Sequence, residues 1–62
     1  MNFATKLTAD ATHVIDDGGC LYWVAAPEMT ADEVADAFRV GYDGQLGAFE
    51  VTNLATETVA NY

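Results

Sequence analysis

Several carboxylates lie at a spacing that suits contact with cationic side chains. Asp32 and Asp36 are four positions apart, which on an α-helix places their Cβ atoms ~5–6 Å from each other. Glu33 adds a third carboxylate beside them. Phosphates along a nucleic-acid strand repeat at similar separations, so a rigid row of these acids can occupy lysine and arginine sites that otherwise hold phosphate, by electrostatic complementarity.

The acidic residues extend beyond this row. Glu28 precedes it, Asp43 follows it, and no lysine or arginine occurs between Lys6 and Arg39. The sequence therefore predicts a partner-binding set of carboxylates: Asp16, Asp17, Glu28, Asp32, Glu33, Asp36 and Asp43.

His13 and Cys20 are the residues that could form a nucleophile and its base. A lone histidine on a short strand and a lone cysteine before Leu21 are far more often packing residues, and we predict that role for both. These two ligands cannot complete a structural zinc site, which usually takes four, and the sequence contains neither a calcium-binding loop nor a phosphate-binding glycine loop. We predict no catalytic residue, no metal site and no cofactor.

Net charge restricts the class of partner. Ten acidic residues and two basic ones give a formal net charge of −8 and a pI near 4.1. Hydrophobic residues make up 52% of the chain and aromatic residues 11%, which is typical of a folded protein and not of a disordered acidic tail. An ordered surface this negative repels nucleic acid and anionic membranes and attracts basic proteins. We therefore exclude nucleic acid and membranes as direct partners.

Cysteine content and the amino terminus indicate the cytoplasm. A single cysteine allows no internal disulfide, and small secreted domains usually need several. The first residues lack the basic start and apolar stretch of a signal peptide. No apolar run approaches the ~20 residues of a membrane span.

The helix that carries the acidic row is the best-specified element of the sequence. Thr30 and Glu33 form the capping-box pattern of a helix start. An apolar face follows at helical spacing, formed by Ala31, Val34, Ala35 and Phe38. We predict a helix from about Ala31 to Val40, with Gly41 ending it at the C′ position.

Strand signals lie on both sides of this helix. We predict strands at Ala11–Ile15 and Cys20–Ala25, joined by a tight hairpin turn at Asp16–Gly19. Leu46–Thr52 is a third predicted strand. The tail, Asn53–Tyr62, is weakly patterned, and both a further edge strand and partial disorder stay open.

These elements predict one acidic α+β domain over residues 1–62, with an antiparallel sheet of three or four strands and one helix packed on a face. A chain of this length buries only ~60% of the surface that its unfolded form exposes, so its stability margin is thin. Strand alternation places Tyr22 and Trp23 on opposite faces of the sheet.

The acidic residues could also serve the fold or its solvation instead of a partner. Asp32 and Glu33 lie in the first helical turn, where the helix dipole favours anions, and Asp16, Asp17 and Asp43 are ordinary turn residues. An acid-rich, lysine-poor surface is also a solvation device in salt-adapted organisms. In that case the protein unfolds when molar salt is removed.

The profile of the chain resembles small acidic inhibitors that phages and mobile elements encode, especially the anti-CRISPR proteins that block type I surveillance complexes. The likeness covers the whole chain and is carried by its length, by the absence of catalytic motifs and by the acidic run that includes Asp16, Asp17, Glu28, Asp32, Glu33 and Asp36. It implies a phage-encoded DNA mimic that acts in the host cytoplasm by occupying the basic DNA-binding surface of the effector complex. These families share little sequence, so no residue role is carried over.

We therefore expect a non-enzymatic, stoichiometric protein inhibitor. One alternative is a small protein-interaction or regulatory module that binds through a sheet edge or an apolar patch, which predicts binding nearly insensitive to salt. Another is an accessory domain of an enzyme that uses Cys20 and His13, which predicts strong loss of function when either residue is replaced.

Overall fold

The computed structural model describes residues 3–62. Its four strands form one antiparallel sheet with the order β2-β1-β3-β4, and the helix packs on one face. The elements are β1 (His13–Asp16), β2 (Leu21–Val24), α1 (Ala31–Gly41), β3 (Glu50–Asn53) and β4 (Thr58–Asn61). The predicted α+β architecture is confirmed, and the tail supplies the fourth strand.

Helix α1 begins at the predicted capping box. Thr30 Oγ1 accepts a hydrogen bond from the Glu33 backbone N–H at 3.2 Å, and Glu33 Oε1 accepts one from the Thr30 backbone N–H at 3.0 Å. The predicted stop is wrong, because Gly41 is the last helical residue and not C′. The cap, Tyr42, is extended (φ −77°, ψ 129°), so the chain leaves the helix without a left-handed glycine.

Strand boundaries differ from the predicted ones. β1 begins at His13 rather than Ala11 and continues through Asp16, which the sequence pattern places in the turn. β3 begins at Glu50 rather than Leu46. Strand length depends on where a partner strand is available, and β1 lies between a partner near in the sequence, β2, and a distant one, β3.

The predicted hairpin turn between β1 and β2 is present but shifted by one residue, to 17–20, since the last strand pair is Asp16–Leu21. Asp17 Oδ1 accepts hydrogen bonds from the backbone N–H groups of Gly19 at 2.9 Å and Cys20 at 2.8 Å. Gly18 has a φ of +93°, a conformation that side-chain-bearing residues rarely adopt. Asp16 Oδ1 accepts a further hydrogen bond, from the Gly18 backbone N–H at 2.8 Å, so two aspartates and a glycine determine the loop shape.

The core lies between α1 and the sheet and consists of Ile15, Val24, Ala26, Val34, Ala35, Phe38, Phe49 and Val51. Paired residues of antiparallel strands point to the same face, so Ile15, Tyr22 and Val51 face the helix. Val14 and Trp23 face the other way. The prediction that Tyr22 and Trp23 lie on opposite faces is confirmed.

His13 is buried, with 1% of its surface exposed, which confirms its predicted packing role. Its Nδ1 lies 2.8 Å from Thr12 Oγ1, and its Nε2 has no hydrogen-bond partner among residues 3–62. Cys20, in contrast, is exposed in the β1–β2 loop, so its predicted packing role is wrong. The strand that would have buried it begins only at Leu21.

Burial of His13 predicts acid sensitivity. Desolvation lowers the pKa of His13 below its usual value of 6.5. The unfolded chain therefore takes up a proton before the folded one does, so stability is complete above pH 6.5 and falls as pH decreases below it. We expect a slope of at most about 1.4 kcal/mol per pH unit.

Urea denaturation at a series of pH values measures this slope. His13→Leu is the control, because leucine does not titrate and Thr12 keeps its hydrogen bonds to Val24 O and Ala26 N. The variant should lose the decline between pH 6.5 and the carboxylate range. An unchanged decline in the variant would assign it to other groups.

Among residues 3–62, no helix has the length and apolar character that crossing a bilayer demands.

Candidate protein-binding surface

Nearly all acidic side chains reach the surface. Nine of the ten are exposed, and Asp17 is half-buried. The Asp36–Arg39 contact is the one ion pair within the described part of the chain. The protein therefore presents almost its whole net charge of −8 over a body of 29 × 20 × 18 Å.

The three carboxylates of α1 are exposed, and each has a partner within the protein. Asp32 Oδ1 accepts a hydrogen bond from the Tyr62 hydroxyl at 2.6 Å. Asp36 Oδ1 accepts one from Arg39 at 2.8 Å, and Glu33 belongs to the capping box. Such exposed pairs contribute little stability, and each of the three carboxylates keeps further acceptor positions open to a partner protein.

An aromatic pair lies between α1 and the end of β4. The rings of Phe49 and Tyr62 stack with centroids 5.4 Å apart, and the Arg39 guanidinium lies 5.4 Å from each ring centroid. Desolvation, followed by the hydrogen bond to Asp32, raises the pKa of Tyr62 to about 12. Arg39, one of only two basic residues, is therefore already in contact with groups of the protein itself.

Two acidic loop residues, Asp17 and Asp43, lie near the carboxyl end of α1. Asp17 Oδ2 accepts a hydrogen bond from the Tyr42 hydroxyl at 3.5 Å, and Asp43 follows Tyr42 directly. Backbone N–H donors, Cys20 first and then Gly19, lower the pKa of Asp17 below its usual value. Asp17 is therefore anionic at neutral pH and has a structural role in the loop.

Asp16 and Glu50 are a carboxylate pair that the sequence pattern did not predict. They are direct cross-strand partners on β1 and β3, so their Cβ atoms lie ~4.5–5.5 Å apart on one face of the sheet. Both contribute to a cleft of about 250 Å³, which is completed by Gly18, Ala48, Phe49, Asn61 and Tyr62. Alternation in Leu46–Thr52 indicates that Glu50 points outward, but only the strand register shows that Asp16 is beside it.

The predicted site residues are thus not one continuous row. Asp32 and Asp36 lie on α1, where Asp32 contacts Tyr62. Asp16, joined by Glu50, lines the cleft to which Phe49 and Tyr62 also contribute. Asp17 and Asp43 lie near Tyr42. Glu28 is separate, in the 25–29 turn before α1.

His13 and Cys20 do not form a pair. His13 pairs with Val24 at one end of the β1–β2 hairpin, whereas Cys20 lies in the loop at the other end. No group of three or more potential metal ligands occurs in residues 3–62.

Comparison of the chain with protein-family models, with curated proteins and with solved structures gave no match.

Proposed function

We propose that this protein is a cytoplasmic, stoichiometric inhibitor that mimics nucleic-acid charge and binds a basic, DNA-binding surface of another protein complex. The observation that carries the proposal is the exposure of nine of ten carboxylates on an ordered domain with one internal ion pair among its described residues. A complex of the type I CRISPR class is the target that the resemblance implies.

Charge and size support mimicry of a single DNA strand. One strand of duplex DNA carries a charge every ~3.4 Å along the helix axis, or about eight to nine charges over 29 Å. The protein is 29 Å long and has a net charge of −8. The protein therefore matches a strand segment of equal length in total charge, and its attraction to a row of lysines and arginines would also accelerate association.

Titration of a purified type I effector complex with this protein tests the proposal. We expect duplex DNA binding to be lost at a stoichiometric ratio, and duplex DNA and the protein to compete for the effector. Calorimetry should show the effector affinity falling by at least about tenfold between ~0.1 M and ~1 M NaCl, where the Debye length shrinks from ~10 Å to ~3 Å.

The same salt series separates inhibition from salt adaptation. Circular dichroism should show a folded protein at ~0.1 M NaCl, where surface charges still act over ~10 Å. Unfolding at that salt concentration would support salt adaptation, and an effector affinity indifferent to salt would contradict charge mimicry.

A further inference from the structure

The sheet face opposite α1, which we call the open face, carries an organised surface. Its residues form two rows across the strands, as the pairing registers show. The apolar row is Trp23, Val14, Thr52 and Val59. The acidic row is Leu21, Asp16, Glu50 and Asn61.

Apolar side chains remain accessible on the open face. Leu21 on β2 and Val59 on β4, the two outermost strands, are 46% and 53% exposed. Val14 and Trp23, which belong to the apolar row, are half-buried. The helix-facing side chains of the same sheet, such as Ile15 and Val51, are 0% exposed, so the core does not use this apolar surface.

The acidic row has uncompensated charge. Asp16 and Glu50 are directly opposite each other, an arrangement of like charges that destabilises a sheet. Neither forms an ion pair within the described residues. Arg39 is bound to Asp36, and Lys6 forms no ion pair among the described residues, so the chain itself supplies no cation to this pair.

We propose that the open face docks a protein segment that presents an arginine or lysine beside an aliphatic side chain. The two rows are two residues apart along the strands, or ~6.5–7 Å. The cation would lie between Asp16 and Glu50, and the aliphatic group would cover Val14 and Trp23. A second copy of this chain does not fit, because it brings another charge of −8.

This inference rests on the proposed function and specifies a further contact: it adds apolar recognition to charge, on the open face of the sheet, besides the charge contact of α1. The phosphate backbone of DNA, by comparison, offers charge to the target but no aliphatic side chains. The open face would therefore allow the inhibitor to distinguish its target from other basic DNA-binding proteins.

A peptide titration tests the inference on the intact chain. Trp23 is the only tryptophan and lies on the open face, so its fluorescence reports docking directly. The probe is a short peptide in which arginine and valine alternate, and the comparison peptide has serine in place of valine at equal charge. We expect saturable binding with a blue shift for the first, and at least about tenfold weaker binding for the second.

Variants with matched charge locate the site. Asp16→Asn with Glu50→Gln should weaken peptide binding at least about tenfold, and Val59→Ser should weaken it by about threefold. Asp10→Asn with Glu57→Gln removes the same charge at exposed positions outside the predicted site, and Val40→Ser removes an apolar group that is 88% exposed. Both controls should leave affinity within about twofold.

Equal weakening by the two acidic pairs would show that only net charge matters and would overturn the inference, as would the absence of a saturable Trp23 response. The effector assay separates this failure from that of the proposed function. If Asp16→Asn with Glu50→Gln still inhibits fully, the open-face contact is wrong and charge mimicry stands. If the unaltered protein never competes with DNA, the proposed function fails, and the peptide titration still tests whether a segment docks on the open face.

Discussion

Replacing Phe38 by alanine is expected to remove about 3–5 kcal/mol from the free energy of unfolding. Phe38 is only 3% exposed. Its ring lies 5.1–5.5 Å from the ring centroids of Phe3, Tyr22, Tyr42 and Phe49. Such aromatic pairs contribute beyond the area that they bury. A chain of this length has a total stability of about 3–9 kcal/mol, so the variant should lose at least about a third of it.

Thermal and urea denaturation followed by circular dichroism measure this loss. Val40→Ala is the control, because Val40 is on the same helix but 88% exposed, and it should change stability by no more than about 0.5 kcal/mol. Phe38→Leu keeps most of the apolar volume and should be less destabilising than Phe38→Ala. If Phe38→Ala lost less than about 1 kcal/mol, the core would not centre on this ring.

Reversing the charges of Asp32 and Asp36 to lysine is expected to raise the inhibitor concentration needed for half-maximal effect by at least about 100-fold. Like charges brought together at an interface cost several kcal/mol, and every 1.4 kcal/mol is a factor of ten in affinity. Glu33 is left unchanged because its side chain completes the capping box. The fold should survive with a loss of about 1 kcal/mol, mainly from a cation in the first helical turn.

The control for this prediction is Asp10→Lys with Glu57→Lys, which shifts the net charge equally at exposed positions outside the predicted site. It should reduce inhibition by less than about tenfold, through weaker long-range attraction alone. DNA binding by the effector complex, measured by fluorescence anisotropy, provides the readout, with circular dichroism to verify folding. A folded Asp32→Lys and Asp36→Lys variant that inhibits normally would remove α1 from the contact surface.

Features that depend on neighbours in sequence were predictable. The capping box joins Thr30 to Glu33, three positions away, and the buried face of α1 repeats every three or four residues. The exposure of the acidic residues also followed from sequence, since unpaired carboxylates are rarely buried. Predictions of the helix start, its buried side and the general surface charge needed no knowledge of the fold.

The candidate site was predictable only as a composition and not as an arrangement. Tyr62 reaches Asp32 across 30 positions, and no local pattern relates them. Asp16 joined a strand because it pairs with the distant Glu50 as well as with Leu21, and this extension of β1 leaves Cys20 in the β1–β2 loop.

The sequence by itself determined the helix, the class of fold and a strongly negative surface, because capping, periodicity and charge are local or additive properties. Tertiary structure alone decided that Asp16 lies beside Glu50, that the tail becomes β4 and that Trp23 faces away from the core. Those outcomes depend on which strands pair and in which register, because a shift of one position would reverse every side chain to the other face.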